Sequence, residues 1–238
     1  MRKAPTMRVI GVLGGSSDQA TAVYYRLLNS EVNAALGGFN TAEVIINSVN
    51  FARIERGVRN DAWEELGAYL AQKVEGLERA GADLVLCMSN TLHRVADVFM
   101  AGVRIPLLHI VDPTAEAIQA QGLERVGLLG TKPVMATDFL QRRYRERYRI
   151  ETIVPDPAAQ DLVDRIIFDE LCRGLTPANS KAAYLAVIDT LVRRGAQGIV
   201  LGCTEIPLLI GEKDRPGTPM FDTTALHAKR AVAMALAD

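Results

Sequence analysis

Two short polar segments each follow directly on an apolar run and carry side chains that can bind a ligand or move a proton. The first is Ser-Asn-Thr at residues 89–91, and the second is Cys-Thr-Glu at residues 203–205. Backbone N–H groups at the turn after a strand favour anions, so we expect them to lower the pKa of the Cys203 thiol and to hold a carboxylate nearby. This combination indicates proton abstraction next to a carboxylate, with Cys203 as the base.

The other two cysteines have different surroundings in the sequence. Cys87 lies inside the apolar run that precedes the first polar segment, and Cys172 ends a helix-patterned stretch just before Gly174, with no acid or base adjacent to it. Three cysteines without a CxxC pair indicate neither a disulfide framework nor a cysteine-rich zinc site. We therefore predict that Cys87 and Cys172 are packing residues.

The elements that position these segments are predicted from short apolar runs that alternate with longer helix-patterned stretches. This alternation is typical of βαβ units in an α/β fold. The runs are too apolar to alternate internally, as expected for parallel strands covered on both faces. The predicted strands cover residues 8–13, 43–47, 84–88, 107–111, 126–129, 151–154, 198–201 and 220–221.

The second half of the chain repeats the first. Gly-Val-Leu-Gly at 11–14 recurs as Gly-Leu-Leu-Gly at 127–130, and Leu-Glu-Arg-Ala-Gly-Ala at 77–82 recurs as Leu-Val-Arg-Arg-Gly-Ala at 191–196. Matches in the same order at nearly one offset indicate an internal duplication. The offset of the second pair, 114 residues, also aligns the two polar segments, so that a serine occupies the position equivalent to Cys203.

The repeat predicts two similar Rossmann-like α/β lobes related by pseudo-two-fold symmetry. A length of 238 residues suits two compact halves. Ligands of open α/β sheets bind beyond the carboxyl ends of the strands, so we expect the active site in the interlobe cleft. The predicted first lobe comprises residues 1–111 and 219–238, and the predicted second lobe comprises residues 112–218.

Composition and charge exclude several kinds of partner. The chain has 27 basic and 28 acidic residues, and no long block of one sign that could follow a phosphate backbone. The apolar runs are far shorter than the roughly 20 residues that a membrane span needs, and residues 1–5 lead into no signal-peptide core. We therefore expect a cytoplasmic protein with a small-molecule partner and no nucleic-acid or membrane partner.

Several motifs, in order along essentially the whole chain, resemble those of the aspartate/glutamate racemase family. They are GVLGGSS at 11–17, TAVYY at 21–25, SNTLH at 89–93, RIIFDEL at 165–171, GCTE at 202–205 and FDT at 221–223. The resemblance implies a homodimer that uses no cofactor, neither pyridoxal phosphate nor a metal. It also implies two cysteines on opposite faces of the α-carbon, one removing the α-proton while the other delivers a proton.

The resemblance also implies roles for individual residues. Cys203 matches the second-lobe cysteine. The implied substrate-binding residues are Asn90, Thr91, Thr204, Glu205, Ser16, Ser17, Thr21 and Lys181. Lys181 would pair with the distal carboxylate of a dicarboxylic substrate, and a solvated surface lysine is the alternative. A helix cap is likewise the alternative for the side chains near residue 16.

The chain departs from the family pattern at Ser89, where the family has its first cysteine. A serine hydroxyl is too weakly acidic to supply a resting base near neutral pH, whereas a thiol has a pKa of about 8.5. We expect racemisation of aspartate or glutamate in which Cys203 abstracts the α-proton of the L-enantiomer and Ser89 or a water reprotonates, with rates biased toward L. The alternatives are a single-cysteine decarboxylase or cis-trans isomerase of the same superfamily, and a non-catalytic ligand-binding homologue.

Overall fold

The computed structural model describes residues 7–237. Residues 1–5, from which we expect no signal peptide, lie outside the described residues. The chain divides into two compact units. The described part of the first unit comprises residues 7–88, 95–110 and 227–237, and the second comprises residues 89–94 and 111–226. Over the described ranges, no helix has the length and apolar character needed to span a membrane.

Each unit contains one parallel four-stranded sheet, and the two sheets have the same strand order. The strands of the first sheet are β1 Ile10–Gly14, β2 Val44–Ser48, β3 Leu84–Cys87 and β4 Leu107–Leu108, in the order β2-β1-β3-β4. Those of the second are β5 Arg125–Gly130, β6 Glu151–Ile153, β7 Gly198–Gly202 and β8 Met220–Asp222, in the order β6-β5-β7-β8. The predicted α/β class and the duplicated architecture are confirmed.

Helices connect the strands, as parallel pairing requires. Those of α type are α1 Asp18–Leu36, α2 Phe51–Arg59, α3 Trp63–Arg79, α4 Ala96–Phe99, α5 Val111–Ala120, α6 Lys132–Ala136, α7 Phe139–Tyr148, α8 Pro157–Asp169, α9 Ala178–Arg193, α10 Ile206–Leu209 and α11 Thr223–Ala235. Short 3₁₀ helices cover Thr91–Val95, Leu171–Arg173 and Glu212–Asp214.

One predicted strand is too long. The run at 107–111 pairs with β3 only over Leu107–Leu108, and Val111 already begins α5. Ile110 and Val111 are both fully buried, so they are apolar because they face a core and not because they extend a strand. A short apolar run of this kind does not distinguish a buried strand from the buried start of a helix.

The unit boundaries differ from those expected for the lobes. Residues 219–226, placed with the first lobe on sequence grounds, lie in the second unit, because β8 pairs with β7 through Val200 and Phe221. Residues 89–94 also lie in the second unit, although they follow β3 of the first. The polar segment that contains Ser89 therefore belongs to the same unit as Cys203.

The two faces of the second sheet are covered by different helices. Along β7, Ile199 and Leu201 belong to a buried cluster with side chains of α8 and α9, whereas Val200 belongs to a cluster with side chains of α5 and α7. This alternation is the two-residue period of a strand. It determines on which face a residue that follows β7 is buried.

Candidate active site

Cys203 immediately follows β7 and continues its pattern of burial. It belongs to the same cluster as Ile199 and Leu201, together with Tyr184 of α9, and only 8% of it is exposed. The thiol thus lies at the carboxyl end of a central strand, the place where ligands of parallel α/β sheets bind. The predicted strand-end position of Cys203 is confirmed.

Glycines precede both Cys203 and the turn after β5. Gly130 of β5 and Gly202 of β7 are partners in the sheet. A Cβ atom on Gly202 would lie 2.6 Å from the carbonyl oxygen of Leu129, and one on Gly130 would lie 2.8 Å from the carbonyl oxygen of Gly202. Both distances are too short for real contacts, so the close approach of the two strands beside Cys203 requires glycine at both positions.

The Cys203 thiol donates a hydrogen bond to a carboxylate. The thiol donates a hydrogen bond to Oε2 of Glu205 at 3.1 Å, and the hydroxyl of Thr204 donates to the same oxygen at 2.6 Å. Glu205 is almost completely buried. The thiol therefore has a hydrogen-bond acceptor within the protein, and the hydroxyl of Thr204 binds the same oxygen.

Burial raises the pKa of the Cys203 thiol well above its ordinary value, and the negative charge of Glu205 raises it further. The backbone N–H of Glu205 hydrogen-bonds to the sulfur and acts in the opposite direction, but it does not compensate for burial. The turn amide therefore acts in the expected direction, but the pKa of the thiol still lies above its ordinary value because burial outweighs the amide. Burial therefore favours the neutral form of the Cys203 thiol.

The Ser-Asn-Thr segment is anchored at the end of the second sheet. Asn90 donates a hydrogen bond from Nδ2 to Oγ1 of Thr223 at 3.0 Å, and the hydroxyls of Thr91 and Thr131 lie 2.8 Å apart in a second hydrogen bond. Thr131 follows β5 and Thr223 follows β8, and these two strands flank β7. The segment therefore spans the end of the strand that Cys203 follows.

Ser89, the residue equivalent to Cys203 in the repeat, is half-buried. Its hydroxyl accepts a hydrogen bond from the backbone N–H of Leu92 at 3.4 Å. Its carbonyl oxygen accepts a hydrogen bond from Nδ1 of His93 at 2.8 Å, because a carbonyl oxygen can only accept. These contacts hold the turn that begins the 3₁₀ helix. The role of Ser89 as the opposing proton donor stays a prediction.

The other two cysteines lie in different elements of the fold. Cys87 is completely buried within β3 of the first unit, which confirms that it is a core residue. Cys172 lies in the 3₁₀ helix after α8, and burial raises its pKa to about 12, with smaller contributions from Glu205 and Asp164. Carboxylates thus lie near Cys172 in the fold although none is adjacent in the sequence, and they add to the effect of burial on its pKa.

The predicted substrate residues of the first loop belong to the first unit. Ser17 caps α1 by accepting a hydrogen bond from the N–H of Ala20, and the hydroxyl of Thr21 donates to the carbonyl oxygen of Ser17 at 2.7 Å. Ser16 precedes this cap and is half-buried. The structure thus gives Ser17 and Thr21 local structural roles, and the binding of a substrate by these three residues stays a prediction.

Lys181 lies in the first turn of α9 and forms an ion pair. Its Nζ is 2.5 Å from Oδ1 of Asp214, and this contact lowers the pKa of that aspartate. Its side chain is 40% exposed. An ion pair of this exposure is compatible with a surface lysine as well as with a residue of the site. Its pairing with a distal substrate carboxylate stays a prediction.

Sequence reasoning missed two threonines that anchor the first polar segment. Thr131 follows β5 at a strand end, and this position alone could have suggested a role in the site. Thr223 ends the FDT motif, but no function had been assigned to it. Both are buried hydroxyl residues, and their partners are residues that lie about 40 and 130 positions away in the sequence. Such distant pairings depend on how the loops cross the sheet end.

Comparison with known proteins identifies the family. The model of the Asp/Glu/Hydantoin racemase family matches residues 10–231. The chain belongs to this family. By family it is an amino-acid racemase, which is an isomerase. The predicted family resemblance is confirmed.

This racemase is similar to known proteins over most of its length, both in sequence and in fold. A candidate Asp/Glu racemase from Yersinia pestis is 42% identical, with a TM-score of 0.89 over 97% of this chain and 100% of that one. An aspartate racemase homologue from Pyrococcus horikoshii OT3 is 32% identical, with a TM-score of 0.81 over 96% and 99% of the two chains. The glutamate racemase of Roseiflexus sp. is 30% identical over 209 residues, 87% of this chain and 72% of that protein.

Proposed function

We propose that this racemase interconverts the enantiomers of an acidic amino acid, aspartate or glutamate, and that Cys203 removes the α-proton of the L-enantiomer. The observation that carries the proposal is the buried hydrogen bond from the Cys203 thiol to Glu205 at the end of β7. The anchored Ser-Asn-Thr segment at the same sheet end supports it. The choice of enantiomer and of an acidic substrate rests on the family resemblance.

Glu205 explains how a thiol with a raised pKa can act as a base. When the thiol proton passes to Oε2 of Glu205, a thiolate and a carboxyl group replace a thiol and a carboxylate. The pair carries one negative charge in both arrangements, so the transfer adds no charge to the buried site. The role proposed for Glu205 is therefore to accept this proton, and its binding of a substrate stays a prediction.

Further proton transfers complete the proposed catalytic cycle. The thiolate of Cys203 takes the α-proton and leaves a carbanion next to the substrate carboxylate. Ser89 or a water delivers a proton to the opposite face of the α-carbon, and solvent restores the donor. Glu205 finally releases to solvent the proton that it received, which returns the pair to its resting form.

Hydrogen-bond donors for the substrate carboxylate come from the anchored segment. The hydroxyls of Thr91 and Thr131 share one hydrogen bond, so the pair keeps a second hydroxyl hydrogen to donate. Asn90 uses one of its two amide hydrogens on Thr223 and keeps the other. A charge-assisted hydrogen bond from these donors would stabilise the negative charge that develops on the carboxylate as the α-proton leaves.

The proposal is tested by α-proton exchange in D₂O. For L-aspartate and L-glutamate, we expect loss of the α-proton signal to be faster than for the matching D-enantiomers, because only the L face meets a thiol. NMR measures the exchange and chiral chromatography measures inversion. Exchange with none of the four substrates, together with turnover of maleate or an arylmalonate, would instead support the single-thiol isomerase or decarboxylase.

The role of Glu205 predicts a change in pH dependence. In Glu205→Gln, only the Cys203 thiol can lose a proton, and burial raises the pKa of that thiol, whereas carboxyl groups generally ionise more readily than thiols. We therefore expect the acidic limb of the kcat/KM profile to move to higher pH and the rate at pH 7 to fall by about 10²-fold. The exposed Glu124→Gln is the matched control. An unchanged profile in Glu205→Gln would show that Glu205 accepts no proton from Cys203.

Two further parts of the proposal concern the whole protein. Assembly as a homodimer is supported by the family resemblance. A cytoplasmic location is supported by the composition and the sequence pattern.

A further inference from the structure

Thr223 is a completely buried threonine whose hydroxyl makes two hydrogen bonds. It donates to the carbonyl oxygen of Leu201 at 3.0 Å and accepts from Nδ2 of Asn90 at 3.0 Å. A hydroxyl has one hydrogen, and a carbonyl oxygen can only accept, so the hydrogen of Thr223 is committed to Leu201. Its oxygen can then only accept from Asn90. Thr223 thereby decides which end of the Asn90 amide faces it.

The fixed amide leaves Asn90 with one N–H and with Oδ1. Within residues 7–237, the Asn90 side chain makes a single hydrogen bond, the one to Thr223. Its second N–H and its Oδ1 are therefore available to a ligand. They are a donor and an acceptor on one planar group. An α-amino acid carries the complementary pair on neighbouring atoms, since its carboxylate accepts and its ammonium donates.

We propose that Thr223 is a positioning residue that makes the site selective for α-amino acids over dicarboxylic acids that lack the ammonium group. Through Leu201, Thr223 ties Asn90 to β7 two residues before Cys203. Oδ1 of Asn90 accepts from the substrate ammonium, and the free N–H donates to the α-carboxylate. The inference rests on the proposed function for the class of ligand, and it adds a residue and a discrimination that this function does not contain.

The test compares ligands that differ only in the ammonium group. Calorimetry measures the Kd of L-aspartate and succinate, and of L-glutamate and glutarate, for the wild type and for Thr223→Val. Because each pair carries the same two carboxylates, losses of carboxylate contacts cancel in the ratio of the two Kd values. We expect Thr223→Val to reduce the preference for the amino acid by about tenfold or more, as for the loss of a hydrogen bond to a charged group. Thr223→Ser, which keeps the hydroxyl, should retain the preference.

Controls separate this effect from a loss of stability and from a failure of the proposed function. Thr114→Val alters another completely buried threonine of the second unit, and it should lower Tm without changing the ratio. If Thr223→Val does not fold, Thr223→Ala, which is smaller than threonine, carries the same expectation. A wild type without preference for the amino acid, an unchanged ratio in the folded variant, or an equal change in Thr114→Val would overturn the inference. Proton exchange by the wild type separately tests the proposed function.

Discussion

Replacement of Cys203 by alanine is expected to lower α-proton exchange with L-aspartate and L-glutamate by at least about 10²- to 10⁴-fold, the range for loss of a positioned base. The reason is that the thiol lies at the end of β7 and donates a hydrogen bond to Glu205, the residue that we propose accepts its proton. Exchange in D₂O measures the effect. Circular dichroism and Tm show that the variant still folds, which is necessary because Cys203 also belongs to a buried cluster.

The other cysteines serve as matched controls for this experiment. Cys87→Ala removes a buried side chain from β3, and Cys172→Ala removes a thiol that burial keeps protonated. Both variants should lose stability to a greater extent than turnover. If Cys203→Ala kept most of the exchange activity, or if Cys87→Ala lost activity selectively with a normal Tm, the assignment of the base would have to be abandoned.

Introduction of a thiol by Ser89→Cys is expected to accelerate exchange of the D-enantiomer by about 10²- to 10⁴-fold and exchange of the L-enantiomer much less. The substitution places a tunable acid and base where the wild type has a hydroxyl, in the segment that spans the end of β7. The equilibrium constant of racemisation remains unity, so the effect must appear in rates and never as an excess of one enantiomer at equilibrium.

Two companion variants make the result for Ser89 specific. In the double variant Ser89→Cys and Cys203→Ala, the thiol lies at position 89 and position 203 has none. The D-enantiomer should then exchange faster than the L-enantiomer. Ser89→Ala shows whether the hydroxyl or a water delivers the proton, because a water donor leaves the wild-type rate of inversion unchanged. Equal exchange of both enantiomers in the wild type, with no gain in Ser89→Cys, would mean that Ser89 and Cys203 do not act on opposite faces.

Local sequence patterns were sufficient to predict the sheets and the place of the thiol. The apolar runs located the core of each strand because parallel strands are buried on both faces. The repeat aligned Ser89 with Cys203 because duplicated sheets end their equivalent strands at equivalent positions. The strand at 107–111 was predicted too long because the run also contains the buried start of α5, and apolar character alone does not mark that change.

The chemistry around the thiol could not be predicted in the same way. The turn amide that should lower the pKa of Cys203 is present, but burial against side chains of α8 and α9 outweighs it, and such burial depends on tertiary packing. Thr131 and Thr223 anchor the Ser-Asn-Thr segment through hydrogen bonds between loops that are distant in the sequence, and no local pattern predicts such bonds. The ion pair of Lys181 with Asp214 likewise joins two segments that no local pattern connects.

The glycine pair Gly130 and Gly202 limits how this racemase can be redesigned by directed evolution. A library that varied every residue around the thiol would consist mostly of variants at these two positions, where a Cβ atom would lie too close to a backbone oxygen. The useful diversity lies at the hydroxyl and amide side chains on either side, such as Thr91, Thr131 and Thr223. A search for a new substrate specificity should therefore vary these polar residues and keep both glycines.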